Sequence, residues 1–128
     1  MMVAGVGCRR GTSAAAIEKV IAAALARAGL ASGTIDAIAT ADVKRDEPGI
    51  AEAAAALGIR LVLIPQADLE RAGSRAATQS QRVMDLVGVP SVAEAAALAA
   101  GGPAARLLLP RIAIGPATCA LATSGGAP

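Results

Sequence analysis

The sequence predicts an α/β fold, a single domain built on a mostly parallel sheet of about five strands with helices on both faces. The main observation is that short apolar runs alternate with segments whose apolar residues recur at helical spacing. Short connections join them, which is typical of a parallel sheet covered by helices. A second observation is composition, since 55% of the 128 residues are hydrophobic and 17% are charged, which suits one well-buried core.

The first half of the chain alternates three predicted strands with two predicted helices. Thr12 or Ser13 can cap the first helix, and its apolar residues recur at helical spacing until Gly29 ends it. Each strand is a short apolar run bounded by polar residues or glycine. In chain order we predict a strand at 2–6, this helix, a strand at 35–41, a polar turn at 42–49, a helix at 50–57 and a strand at 60–64.

The segment after the third strand is predicted to be mainly helical, with one irregular stretch. A short helix begins after Pro65 and runs to Arg71. Residues 72–80 show no apolar period, which is typical of an exposed, mobile loop. Two further helices are predicted, one at 81–86 and one at 92–100 that begins with Ser91 and Glu94 as a capping box.

The end of the chain is predicted to complete the sheet. Two apolar runs, at 106–109 and 118–122, are separated by a turn that contains a Gly-Pro pair. This pattern favours an antiparallel strand pair. The domain is then expected to span 1–123, followed by a disordered tail at 124–128.

The composition excludes several classes of function. Without histidine the chain has no Ser-His-Asp triad and no histidine-containing metal site, so we expect neither a metal nor a cofactor. It has no aromatic residue to stack on bases, and its net charge of +2 is too small for a nucleic-acid footprint. Cys8 and Cys119 form no CxxC pair, and no signal peptide or membrane-spanning run is present, so we expect a cytoplasmic protein without a membrane partner.

The first candidate site is the run Gly5-Val6-Gly7-Cys8-Arg9-Arg10-Gly11-Thr12, which joins a predicted strand to a predicted helix. Backbone N–H groups at such a junction bind anions, and arginine adds a bidentate partner for carboxylate or phosphate. The spacing GxGxxxG fits neither a dinucleotide site nor a P-loop. The alternative is a tight turn with solvated arginines. The candidate ligand-binding residues are Gly7, Cys8, Arg9, Arg10, Gly11 and Thr12.

Charged neighbours give Cys8 a second interpretation. Arg9 and Arg10 flank it near a helix N-terminus, which predicts a lowered thiol pKa and permits use of the thiolate as a nucleophile. The alternative is a structural cysteine at a strand end. Cys119 lies in an apolar strand and is predicted to belong to the core.

The second candidate site is the polar turn after the second strand, at the same edge of the sheet. Lys44 is a candidate ligand-binding and catalytic residue that could meet a substrate carboxylate, and Asp42 or Glu47 could serve as acid or base. The alternative is a solvated turn in which Asp46 or Glu47 caps the next helix.

A third polar group lies farther along the chain, at the end of the stretch predicted to be a loop. Thr78 and Ser80, with Arg82, could bind a ligand from a lid. The alternative is that they cap helices.

Four segments, in this order, resemble the family formed by the CobE proteins and the C-terminal domain of CbiG. They are GVGCRRGT at 5–12, ADVKRDEPGI at 41–50, TQSQRV at 78–83 and VGVPSVAEAAAL at 87–98, and the resemblance covers about residues 3–122. The chain begins almost at the first shared strand, so a free-standing CobE-like protein is expected. The resemblance implies a role in cobalamin biosynthesis.

What the resemblance implies about molecular role leaves three hypotheses. The first is a carrier or accessory factor of the aerobic pathway that binds an anionic precorrin-type tetrapyrrole through its basic loops. The second is a hydrolase or lyase that opens the ring-A lactone of a precorrin with release of acetaldehyde, as CbiG does. The third is a structural partner of a pathway methyltransferase, which would make other corrin-pathway enzymes its partners.

Overall fold

In the computed structural model, which describes residues 1–79 and 92–124, five strands form one sheet in the order β3-β2-β1-β5-β4. Four α-helices flank this sheet within those ranges. The strands are β1 Met2–Cys8, β2 Ala37–Ala41, β3 Arg60–Ile64, β4 Arg106–Ile114 and β5 Ala117–Thr123. The helices are α1 Ala14–Ala28, α2 Pro48–Leu57, α3 Gln66–Gln79 and α4 Val92–Gly101.

The sheet is parallel on one side and antiparallel on the other. β1, β2 and β3 run parallel, whereas β5 is antiparallel to both of its neighbours, β1 and β4. Two helices cover each face: α1 and α2 enclose one core cluster against the sheet, and α3 and α4 enclose the other. The predicted α/β class with five strands is therefore confirmed, including the antiparallel final pair. Two of the four strand pairings are antiparallel, so the sheet is mixed rather than mostly parallel.

Strand β4 is longer than the sequence predicted. The sequence predicts a strand at 106–109, yet β4 continues through Pro110 to Ile114, although proline has no N–H for a ladder hydrogen bond. Proline is tolerated here because β4 lies at the edge of the sheet, where one side of the strand needs no partner. Two register shifts, between Leu107 and Leu109 and between Leu109 and Ile112, interrupt its pairing with β5.

The predicted loop at 72–80 is wrong for residues 72–79, because α3 continues through them to Gln79. Alanine and glutamine favour a helix even where no apolar stripe marks it, and one internal Gly73 costs only about 1 kcal/mol. The predicted helix at 81–86 lies outside the described residues, and so does Ser91, the predicted cap of the helix at 92–100.

The two ends of the described chain meet beside the sheet. The Met1 ammonium donates to the Ser124 carbonyl oxygen at 2.9 Å, and the Ser124 N–H donates to the Met1 carbonyl oxygen at 2.9 Å. Residues 125–128 of the predicted tail lie outside the described residues. Within 1–79 and 92–124, no helix has the length and apolar character needed to cross a membrane.

Candidate functional site

The loop between β1 and α1 is held in one shape by hydrogen bonds at both ends. The Arg9 N–H donates to the Pro116 carbonyl oxygen at 3.0 Å, which ties the loop to the β4–β5 turn. Buried Thr12 donates its hydroxyl to the Arg9 carbonyl oxygen at 2.6 Å. Ser13 caps α1, since its Oγ accepts from the Ala16 N–H at 3.1 Å. The backbone that carries the Arg9 side chain is therefore held in place at the carboxyl end of β1.

The turn between β2 and α2 touches this loop through a carboxylate. Glu47 occupies the N-cap position of α2, but its Oε2 accepts from the Gly11 N–H of the first loop at 3.0 Å. The Arg45 guanidinium binds both carboxylate oxygens of Asp42, at 2.5 and 2.6 Å. Glu47 thus joins the two candidate loops, and Asp42 orders its own turn.

A cavity of about 580 Å³ opens at the carboxyl ends of β1 and β2, beside the N-terminus of α4 and the β4–β5 hairpin. Three basic side chains line it, together with apolar side chains on several elements. The basic residues are Arg9, Lys44 and Arg111, and the apolar ones include Val43, Val92 and Ala113. Such a cavity suits a ligand that combines an apolar body with negatively charged groups.

The structure brings most of the predicted site residues to this edge of the sheet, in two neighbouring cavities. Gly7, Cys8, Arg9 and Lys44 line the larger one. Val43, which lines the larger cavity, also lines a second cavity of about 420 Å³. Arg10, Gly11 and Glu47 line that second cavity.

Two predicted site residues, Thr12 and Asp42, line neither cavity, since Thr12 donates to the Arg9 carbonyl oxygen and Asp42 is bound by Arg45. Thr78 belongs to the last turns of α3 rather than to a loop, and Ser80 lies outside the described residues. Their proposed role as part of a lid stays a prediction.

Arg111 is the site residue that sequence reasoning missed. It lies on the part of β4 beyond Pro110, which the predicted strand did not include. The signal available was the proline itself, because a proline inside an apolar run indicates an edge strand or a bulge. The position of the Arg111 side chain depends on how β4 pairs with β5. A local sequence pattern does not reveal that pairing.

The environment of Cys8 reverses the predicted direction of its pKa. Burial of the half-buried thiol raises its pKa and outweighs the hydrogen bond with Thr12 and the positive charge of Lys44, which lower it, while Glu47 raises it further. The prediction of a lowered pKa, made from adjacent arginines, is therefore wrong. Cys119 is buried in the core as predicted, and burial raises its pKa to about 12.

Comparisons with known proteins agree over nearly the whole chain. A family model described as cobalamin synthesis G C-terminus matches residues 2–122. The chain is 37% identical over 121 residues to Protein CobE of Sinorhizobium sp, covering 94% of this chain and 79% of that protein. It superposes on cobalamin biosynthesis protein chiG from Agrobacterium tumefaciens str. C58 with a TM-score of 0.81 and 44% identity, covering 98% and 99% of the two chains.

One relative is a much longer protein. Cobalt-precorrin-5A hydrolase of Priestia megaterium is 33% identical over 102 residues, which cover 80% of this chain and 27% of that protein. The matched part therefore corresponds to about a quarter of the hydrolase.

Proposed function

Because the chain belongs to the cobalamin synthesis G C-terminus family and is a cobalamin biosynthesis protein of CobE type, we propose that it binds an anionic precorrin-type tetrapyrrole as a carrier or accessory factor. The observation that carries the proposal is the cavity at the carboxyl ends of β1 and β2, where Arg9 and Lys44 converge from two different loops. A precorrin offers acetate and propionate carboxylates around an apolar macrocycle, and the cavity is complementary to both features.

The cavity walls support binding of the macrocycle as well as of its carboxylates. Val43 is 80% exposed and Val92 is 50% exposed, and both side chains line the cavity. Exposed valines at a cavity lose contact with water when a flat apolar ring covers them, which is favourable at about 25 cal/mol per Å². Each charge-assisted hydrogen bond to Arg9 or Lys44 adds about 1.5–3 kcal/mol. Two such hydrogen bonds contribute about 3–6 kcal/mol, a large part of the roughly 8 kcal/mol of a micromolar complex.

Replacing both Arg9 and Lys44 by alanine is expected to weaken binding of hydrogenobyrinic acid by at least about 100-fold, because two charge-assisted hydrogen bonds are lost. Hydrogenobyrinic acid is a suitable probe because it keeps the carboxylates of the pathway intermediates. Titration calorimetry or absorbance titration measures the affinity. The matched control is Lys19→Ala with Arg27→Ala, which removes the same two charges from exposed positions on α1.

The control variant should bind as the wild type does. Wild-type protein that binds neither hydrogenobyrinic acid nor any precorrin would refute the proposal. Equal affinities of the site variant and the wild type would show that the ligand lies elsewhere.

Lactone hydrolysis is a second candidate, favoured by the identity to the cobalt-precorrin-5A hydrolase and by Lys44 at the cavity wall. In this mechanism Lys44 would bind a substrate carboxylate, and the acid or base would be Glu47 from the second cavity, or Asp42 after release from Arg45. Incubation with a lactone-containing precorrin should then release acetaldehyde, and Lys44→Ala should abolish the release while Lys19→Ala retains it. Unchanged substrate mass after long incubation would exclude hydrolysis.

A further inference from the structure

The edge strand β4 carries a β-bulge beside the cavity. Leu109 pairs with Leu121 and Ile112 pairs with Cys119, so two residues of β4, Pro110 and Arg111, lie opposite one residue of β5. A bulge bends the strand and redirects the side chains that belong to it. Arg111 is one of the two bulged residues, and it lines the cavity.

A buried carboxylate from α4 binds the backbone of this bulge. Glu94 lies in the first turn of α4 and is only 1% exposed. Its Oε2 accepts a hydrogen bond from the Arg111 N–H at 3.2 Å. Every other residue from Ala93 to Leu98 is an alanine or leucine that packs on the sheet. Burial of a carboxylate among them is costly unless it is hydrogen-bonded, so packing alone does not explain a glutamate here.

The basic residues of the cavity are spread across the sheet. Lys44 follows β2, Arg9 follows β1 and Arg111 lies on β4, and the sheet order β2-β1-β5-β4 puts three strand spacings between the outer two. At about 4.8 Å per spacing this is a width of roughly 14 Å. A single carboxylate is far smaller, so the three cations suit carboxylates on different sides of one broad ligand.

We propose that Arg111 is a specificity-determining residue that binds a macrocycle carboxylate distant from those bound by Arg9 and Lys44, and that Glu94 is the positioning residue that fixes the bulge beneath it. This inference rests on the proposed function, tetrapyrrole binding in the same cavity. It assigns the cavity to a polycarboxylate as wide as a macrocycle, in preference to a small anion. Glu94 acts through the backbone of Arg111 and makes no contact with the ligand.

The first test compares Arg111→Ala with Arg106→Ala, an exposed arginine on the same strand but away from the cavity. The probe is hydrogenobyrinic acid, and a second titration uses the same macrocycle with its carboxylates converted to amides. Arg111→Ala should weaken binding of the acid about tenfold and should change binding of the amide little, because the lost contact is charge-assisted. Arg106→Ala should match the wild type for both probes.

The second test is a double-mutant cycle for Glu94. If Glu94 acts through Arg111, Glu94→Ala weakens binding in the wild-type background but adds nothing when Arg111 is already alanine. Glu94→Gln keeps an oxygen acceptor and should restore most of the affinity. If Glu94→Ala does not fold, Glu94→Asp replaces it in the cycle, since a side chain one methylene shorter withdraws the acceptor while keeping the charge.

The outcomes separate this inference from the proposed function. Wild-type binding together with unchanged affinity in Arg111→Ala overturns the role of Arg111 and leaves the proposed function standing. Equal losses from the Glu94 substitution in both backgrounds overturn the positioning role. If the wild-type protein does not bind the probe, the proposed function is disproved, and this inference is disproved with it.

Discussion

Replacing Gly5 by alanine is expected to destabilise the fold by about 3 kcal/mol or more, a large part of the stability of a chain of this size. Gly5 lies in the middle of β1, where α4 crosses the central strand at very short range. A Cβ atom at this position would overlap the Ala93 carbonyl oxygen and would lie 2.8 Å from the Ala97 nitrogen and 2.9 Å from the Ala97 Cβ. Two of these three atoms are backbone, so relief requires that the whole helix move away from the sheet.

Movement of α4 would also affect its other contacts. Ala96 and Leu98 are fully buried, and separation from the sheet would open space around them that no side chain can fill. The expected change is a fall in the thermal midpoint on the order of 10 °C, measured by calorimetry or circular dichroism.

Gly33→Ala is the matched control for Gly5→Ala. A Cβ at Gly33 meets no heavy atom within 4 Å, and Gly33 is not among the glycines with positive φ, so this variant should unfold close to the wild-type temperature. If Gly5→Ala melted at the same temperature as Gly33→Ala, the close approach of α4 to β1 would be disproved.

The parts of the fold that the sequence predicted depend on local patterns. The first three strands, α1 and α2 follow from apolar runs, helical spacing and glycines that end helices, such as Gly29, whose φ is 72°. The errors lie where tertiary packing or sheet position, rather than the local sequence pattern, determines the secondary structure. Pro110 ends a strand by local rules but is accepted at a sheet edge, and residues 72–79 extend α3 without any apolar stripe.

The candidate site was predictable to the extent that parallel strands bring their carboxyl ends to one edge. This rule was enough to place Arg9 and Lys44 together, and the family resemblance of the same loops is confirmed by the family model. Arg111 and Glu94 were not predictable as a pair, because their contact depends on a bulge and on helix packing across 17 residues of chain. The pKa of Cys8 was wrong because sequence shows adjacent charges but does not show burial.

Gly49→Ala is the substitution expected to affect stability and ligand binding together. Gly49 lies at the start of α2, directly after Pro48, and a Cβ there would overlap the Thr12 carbonyl oxygen and lie 3.2 Å from the carbonyl carbons of Thr12 and Ser13. The backbone of one candidate loop therefore rests on the first turn of the helix that follows the other. Alanine would push the two loops apart and strain the hydrogen bond that joins them between Glu47 and Gly11.

The expected result for Gly49→Ala is a loss of about 2–3 kcal/mol in the free energy of unfolding. We also expect more than tenfold weaker binding of hydrogenobyrinic acid, since Arg9 and Lys44 would no longer converge. Denaturant unfolding and titration on the same preparation measure both effects. Binding is measured under conditions in which the variant is fully folded. The loss of affinity then reports the separation of the two loops rather than a general loss of folded protein.

Gly73→Ala provides a control of the same chemical kind with the opposite expected sign. Gly73 lies inside α3, has no positive φ, and an added Cβ meets nothing within 4 Å. Alanine in an unobstructed helix interior stabilises by about 0.5–1 kcal/mol relative to glycine. Two helical glycines replaced by alanine should therefore shift stability in opposite directions. A stabilising Gly49→Ala would show that α2 does not pack on the Thr12 backbone, and the two loops would then be independent of each other.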